Sequence, residues 1–439
     1  VSPGTDMRAT PSRALLALTF AAGLSGAACT AFAADAPAAA ASQPANAVSA
    51  AFAPLFSQAQ ELLKNGKGPA TLAKLKELEA LPNLTAYEKY LIVRVRGPAE
   101  YVANDLGAAA ADFEALLAGD QLPASERLTI LKADASVLYT SEQYPKAAVA
   151  IQRYLDAGGD DAQLKELLPQ TQYISKDYAS AAKGFRAQVD AAYAAGRTPS
   201  EKTRRLLASS YAESKDDANY NWTLDRLAVG YPKADYWDKE IATAAHAEKF
   251  SDRLYVDKYR LRMQRMRGSN DDDRLSYAAL AGHAGYPEEA KLVLDNAFAT
   301  KPFTGADLKE ANSLRAEVNK SAASDRAQRA ANESSARSAK DGNALVSLGL
   351  LEAVAGNAQQ GAQMIAEGIA KSGIRNPEEA ALHLGYAQIR AGRDADAIKT
   401  LQAIKGGPAG IVPLAHVWIL YAQSRLQAAA APAAPAASK

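Results

Sequence analysis

Between Arg127 and Val189 one pattern is written twice. Tyr144 is followed by Ala147, Ile151 and Tyr154, and Tyr178 by Ala181, Phe185 and Gln188, each residue of the second set lying 34 after its counterpart. A period of that length, with small residues at fixed places, constrains the chain to paired helices stacked in series. A lone pair cannot bury its apolar face, so each pair needs the next.

The small residue that opens the second helix can be followed along the chain as Ala73, Ala109, Ala147, Ala181, Tyr220 as a large substitute, Ala290, Gly361 and Ala397. Successive gaps are 36, 38, 34, 39, 70, 71 and 36. The two wide gaps are near twice 35, which places one degenerate unit near 251–267 and another near 307–340, about ten pairs in all. Apolar residues at i, i+3, i+4 and i+7 recur from Ser49 onward, and no alternating β-branched run calls for a sheet. Gly97-Pro98 falls inside a first helix, which it is expected to kink or end.

At these residues the chain resembles the tetratricopeptide repeat (TPR) family, whose pattern is W-x2-L-G-x2-Y, then A-x3-F, then P. Leu348-Gly349 and Leu384-Gly385 match the L-G pair, Ala109-Phe113 and Ala181-Phe185 match A-x3-F, and Pro232 and Pro302 stand where the closing proline does. The family's tryptophan is absent from the clear units. The resemblance implies an all-α, right-handed superhelical solenoid of about ten TPR-like helical hairpins. The segments read as an N-terminal array over 49–232, degenerate middle repeats over 233–304, a polar helical spacer over 305–342 and C-terminal repeats over 343–427.

Met7, Arg8 and Arg13 precede an apolar run from Ala14 to Leu24, and Ala31-Phe32-Ala33 follows. This is the layout of a secretory signal peptide cleaved after Ala33, with Val1 to Asp6 upstream of the start. An Ala/Pro-rich linker over 34–48 and a disordered tail over 428–439 flank the helices. Cys29 is the one cysteine, and Gly26-Ala27-Ala28 before it lacks a lipobox leucine, so an outer-membrane lipoprotein is the lesser expectation. The expected product is periplasmic or secreted. Its longest later apolar run, Ile411 to Ala422, is broken by Pro413 and His416, so no transmembrane segment is expected in the mature chain. Lysine plus arginine (50) against aspartate plus glutamate (49) gives no global case for nucleic acid.

No catalytic, cofactor or metal motif emerges. The four histidines form no H-x3-H pair, Gly406-Gly407-Pro408 is a turn, and Asp271-Asp272-Asp273 lacks the spaced ligands of a calcium loop. The basic run from Arg253 to Arg267 reads as a solvated cationic face over a packing stripe, and Tyr231-Pro232, Tyr236 and Trp237 as a capped turn. What the resemblance implies instead is a scaffold holding a protein or peptide of the cell envelope in a concave groove. Candidate groove residues are Tyr101, Tyr139 and Tyr173, each eight before the small residue, with Arg94, Lys132 and Arg205, each 15 before it. Glu166 holds that second position in the intervening unit. The tyrosines read equally as a packing aromatic shifted by one residue. The reading from another class is a cell-envelope enzyme or enzyme subunit acting on glycan, which requires a close carboxylate pair with split pKa values.

Overall fold

The computed structural model describes residues 47–231, 233–246, 250–265, 271–300 and 303–430. The signal peptide, Cys29, most of the 34–48 linker and the end of the tail lie outside them. Among the described residues there are twenty α-helices, one 3-10 turn and no strand. The chain is all-α and forms two compact units, divided between Asp216 and Asp217.

The first unit holds α1 (Phe52–Lys64), α2 (Gly68–Glu79), α3 (Ala86–Val102), α4 (Leu106–Ala118), α5 (Ala124–Thr140), α6 (Tyr144–Asp156), α7 (Ala162–Ile174), α8 (Tyr178–Ala194) and α9 (Glu201–Glu213). Within this unit each helix packs on its neighbours in sequence, which is the stacking a solenoid requires. Side-chain caps start five of these helices. Thr85 and Glu88 form a capping box on α3, and Asp105, Asp161, Asp177 and Ser200 cap α4, α7, α8 and α9.

One backbone feature fixes the register of the hairpins. Gly66, Asn104, Glu142, Lys176, Lys215, Gly285, Gly356 and Gly392 all have positive φ, between 58° and 109°. Each stands five residues before the small residue of its hairpin: Thr71, Ala109, Ala147, Ala181, Tyr220, Ala290, Gly361 and Ala397. The left-handed residue reverses the chain and lets the ended helix close its free carbonyls. At Lys176 its N–H donates to Tyr173 O at 3.0 Å, and the next N–H, of Asp177, donates to Gln172 O at 2.9 Å. The first hairpin corrects the sequence register by two residues. Thr71 is fully buried at the crossing and Ala73 is exposed, because the turn at Gly66, not the nearest alanine, sets the count.

Gly97-Pro98 does not end α3. The helix runs through Pro98 because tertiary packing outweighs the lost backbone bond: a Cβ on Gly97 would lie 3.0 Å from the Phe113 ring, and Pro98 itself is buried.

The second unit holds α10 (Asp217–Gly230), α11 (Ala234–Ala245), a 3-10 turn (Asp252–Leu254), α12 (Tyr255–Arg265), α13 (Asp271–His283), α14 (Pro287–Thr300), α15 (Gly305–Ser338), α16 (Asn343–Ala355), α17 (Ala358–Ala370), α18 (Pro377–Arg390), α19 (Asp394–Gln402) and α20 (Ile411–Ala430). The sequence pattern ends its N-terminal array after residue 232, whereas α10 belongs to the second unit, where it packs on α11 and α20. Helices α16 and α17 cross glycine on glycine. A Cβ on Gly361 would sit 2.4 Å from Gly349 O, so α16 and α17 approach to backbone contact there.

The stretch counted near 307–340 as a degenerate unit, and read by its polarity as a helical spacer over 305–342, is one continuous helix, α15, 34 residues long. No glycine or proline stands between Gly305 and Gly342 to reverse the chain. Its buried residues Ala311, Val318, Ala322 and Ala336 form a stripe too narrow to raise its hydropathy, and arginines hold it in place. Arg315 pairs with Asp295, Arg326 with buried Glu288 and Arg329 with Glu352. Lys371 caps its far end, donating from Nζ to the carbonyls of Ala336, Arg337 and Ala339 at 3.3, 2.6 and 2.9 Å.

Two substitutions test the register from opposite sides. Lys176→Gly is expected to stabilise the chain by about 0.5–1 kcal/mol by relieving a left-handed residue. Ala147→Leu is expected to cost about 1–3 kcal/mol by overpacking a fully buried crossing. Denaturant melts of both variants check the pair.

Candidate partner-binding face

The residues 15 before each small residue share one face of the first helices; in the first hairpin Phe56 fills that place and is buried, and from α3 to α9 the position carries a rail of charge. Arg94 on α3 donates from NH2 to Glu126 on α5 at 2.6 Å. Lys132 on α5 reaches Asp161, the N-cap of α7, at 2.6 Å. Asp161 is a good partner because its other oxygen already accepts the N–H groups of Gln163 and Leu164 at 2.9 and 3.0 Å, and these bonds, with Lys132, hold its carboxyl below the usual range against burial. Each cation thus ties one first helix to the next. At the third rung the sign reverses, since Glu166 stands in the cation's place and is exposed, and Arg205 on α9 is exposed too.

Tyr101, Tyr139 and Tyr173 occupy the last turns of α3, α5 and α7, where they are half-buried, half-buried and buried. Tyr139 packs edge-on against Tyr144 at 5.7 Å, and Tyr173 against Tyr178 at 5.3 Å. In each pair the first ring ends one helix and the second opens the next, five residues on, so the rings staple the hairpin turn. Tyr173 also shares a 2.7 Å hydrogen bond with Ser209 of α9. The tyrosines therefore carry packing within the array, with Tyr101 and Tyr139 keeping part of their surface open.

The same register in the second unit reads differently. Fifteen before Ala290, Gly361 and Ala397 stand Leu275, Val346 and Leu382, all buried. Eight before them stand Gly282, Ala353 and Ile389, of which the last two are buried. Val346, Leu382, Ala353 and Ile389 share one apolar core with Trp237, Leu254 and Leu261 from α11, the 3-10 turn and α12. A Cβ on Gly282 would meet Val318 of α15 at 3.5 Å. In this unit the chain's own helices cover the face that the first unit lines with polar groups.

Beneath that cover lies a buried ion cluster that the sequence pattern does not reveal. Arg260, 1 % exposed, grips Glu289 with Nε and NH2 at 2.8 and 2.6 Å and Asp257 with NH1 at 2.6 Å. Tyr277 donates to Glu289, and the rings of Tyr286 and Tyr386 lie 4.8 and 5.7 Å from the guanidinium. His383 approaches Asp257 at 3.3 Å. Burial disfavours the Asp257 anion, but His383 and Arg260 outweigh it and hold its carboxyl at about 2. The basic run around Arg260 therefore does not form one solvated face. Arg262 pairs with Asp273 at 2.6 Å, while Arg253, more than half exposed, reaches Glu379 at 2.8 Å. Pro287-Glu288-Glu289 has the pattern of ordinary acids opening a helix, and nothing in their spacing shows that Glu289 turns inward.

Of the raised carboxyls, three are raised far toward neutrality. Burial, then Asp112, lifts Glu100 to about 7; burial, then Glu114, lifts Asp134 to about 7; burial, then Asp225, lifts Glu240 to about 8. Glu100 and Asp112 are the closest to the split pair that glycan hydrolysis needs. They share one cation, however: Arg96 clamps both Asp112 oxygens at 2.7 and 2.8 Å and stands 3.8 Å from Glu100. Glycoside cleavage needs carboxyls about 5 Å or more apart. Among the described residues no group of three His, Cys, Asp or Glu side chains could hold a metal ion, and no helix is long and apolar enough to cross a membrane.

No family model matches the chain, and no curated protein matches it. Among solved structures it is similar to a tetratricopeptide repeat protein from Parabacteroides merdae ATCC 43184, at 12% identity and a TM-score of 0.28, over 77% of this chain and 98% of that one. It is also similar to yeast Tom70, at 11% identity and a TM-score of 0.24, over 86% and 96% of the two chains. Likenesses this distant transfer no residue roles, and the helical repeat stands on the chain's own turns and crossings.

Asp134 is fully buried, with neither oxygen hydrogen-bonded among the described residues, at a register position where Leu168 and Leu207 stand in later hairpins. A carboxyl raised in the folded state favours folding on the acid side and loses that contribution as pH rises through its folded value. Stability of the first unit is therefore expected to fall between about pH 4 and 7, and Asp134→Leu is expected to flatten that slope in urea melts. Removing Arg260 takes the guanidinium from two buried anions and leaves only His383 and Tyr277 beside them, so Arg260→Met is expected to cost about 3–5 kcal/mol in the same assay.

Proposed function

We propose that this protein is an exported scaffold that binds a protein or peptide partner of the cell envelope along the first-helix face of its first unit. The observation that carries the reading is the contrast between the two units. In the second unit, as at Phe56 and Leu63 of the first hairpin, the equivalent face is apolar and buried, whereas from α3 to α9 it presents Lys132, Glu166 and Arg205 beside the partly open rings of Tyr101 and Tyr139. Rings with a polar tip beside fixed charges suit an extended segment, since they offer apolar area and hydrogen bonds at low entropic cost. The rail assigns roles unequally. Arg94 and Lys132 are engaged with Glu126 and Asp161, so they shape the face, while Glu166 and Arg205 are the charges a partner meets. Tyr173 acts by holding α7 to α9. The basic and apolar segments ahead of Ala33 support export to the periplasm or beyond.

A photo-crosslinking amino acid placed at Gln163 or Lys202, both exposed on this face, is expected to capture partner in envelope extract. The same group at exposed Val149 on α6, or at Leu292 on α14, is expected to capture none. Glu166→Arg combined with Arg205→Glu should cut capture at Gln163 at least tenfold. Equal capture from all four positions would dispose of the face, and an exported protein whose N-terminus is not Ala34 would dispose of the cleavage site.

A further inference from the structure

The last helix, α20, closes the second unit by packing on α10, α11, α18 and α19. Its apolar side is aromatic. Trp418 meets the rings of Tyr386 at 5.4 Å and Tyr421 at 5.8 Å, and Tyr421 meets Trp237 of α11 at 6.2 Å. Where α20 meets α10 and α11, the seam also contains three titratable groups. His416 Nε2 stands 3.1 Å from both oxygens of Asp225 on α10. Glu240 of α11 is 6% exposed, and its Oε1 has no hydrogen-bond partner among the described residues.

We propose that α20 is a proton-held clasp on the second unit, seated while Glu240 keeps its proton and His416 its charge, and loosened as the solution turns alkaline. The buried Glu240 carboxyl, acted on by the Asp225 anion, is favoured in its neutral form, and the half-exposed imidazolium of His416 makes the α20 contact with Asp225 attractive. Both groups hold more protons in the closed unit than in the unfolded chain. Burial and then Asp225 raise Glu240 from 4.5 to about 8, and the hydrogen bond to Asp225 raises His416 although burial opposes it. The contribution to closure is complete on the acid side and declines across that window as pH rises.

The other charges at the seam do not replace these. Arg226 of α10 lies over the Trp222 ring at 3.6 Å and donates to Trp222 O at 3.0 Å. Arg425 of α20 is paired with Asp394 of α19 at 2.8 Å, and Asp238 of α11 is raised by burial, with Arg262 opposing. The charges that act on Glu240 are those of Asp225 and His416.

The chain has three tryptophans, Trp222 on α10, Trp237 on α11 and Trp418 on α20, so its intrinsic tryptophan fluorescence comes entirely from the three helices of this seam. In the full-length protein, emission is expected to shift to the red and acrylamide quenching to rise at least twofold between pH 6 and 9. Glu240→Gln with His416→Gln is expected to remove most of that change, while Asp134→Asn in the first unit leaves it intact. Hydrogen exchange of the native protein supplies the second measurement. After correction for the intrinsic pH dependence, amides of 411–430 should lose at least tenfold protection from pH 6 to 9 and those of α5 far less. Flat emission, an unchanged transition in the double variant, or equal loss of protection in α5 and α20 would overturn the clasp.

Discussion

The structure depends on one repeated contact, the crossing of two helices at a small residue placed five positions after a left-handed turn. The turn sets the phase of the second helix, and the small side chain sets the distance of closest approach. Between Gly349 and Gly361 that distance shrinks to backbone contact, and at Ala147 and Ala181 it is one methyl wide. Everything laid on this frame, from the tyrosine staples to the Arg94 to Glu126 rung, inherits its spacing. A one-residue slip would rotate the second helix by about 100° and carry every partner off its face.

Much of this is legible in the sequence because the crossing leaves a mark in residue size. The small residues from Ala109 through Ala397 stand at crossings where the pattern puts them, including Gly361 opposite Gly349. The first is displaced because threonine fills the crossing at Thr71 while an alanine two residues on lies on the surface. A better rule is present in the sequence at four hairpins, where Gly66, Gly285, Gly356 and Gly392 mark the left-handed position, but Glu142, Lys176 and Lys215 hide it at others. The repeat count mistakes α15 for a hairpin for a related reason, although its polar composition reads as a helical spacer. Its length equals one repeat, and its arginines find their acids only in three dimensions.

The candidate face is less legible than the frame. Sequence register groups Tyr101, Tyr139 and Tyr173 correctly but cannot say whether an aromatic ring is turned to a neighbour or to solvent. For the second and third, the five-residue spacing to Tyr144 and Tyr178 is the signal that points to a staple. For charged residues the difficulty is greater, because a pattern of acids and bases does not reveal desolvation. Arg260 and Glu289 look like surface residues until the fold turns them inward, and Asp134 interrupts an apolar position with no partner in reach to explain it.

The two units also differ in how far along the chain their side-chain bonds reach. In the first, bonds such as Ser49 to Glu88 and Arg153 to Glu114 join residues 39 apart. In the second, Arg253 bonds Glu379 across 126 residues and His416 bonds Asp225 across 191. On a ribosome the first kind of unit can gain its native packing hairpin by hairpin as the chain emerges, because every partner is already made or about to be. The second has to wait with α10 and α11 uncovered until α20, its closing piece, has been synthesised. A stalled or clipped chain would therefore leave the early unit formed and the later one with its aromatic seam open to proteases and chaperones.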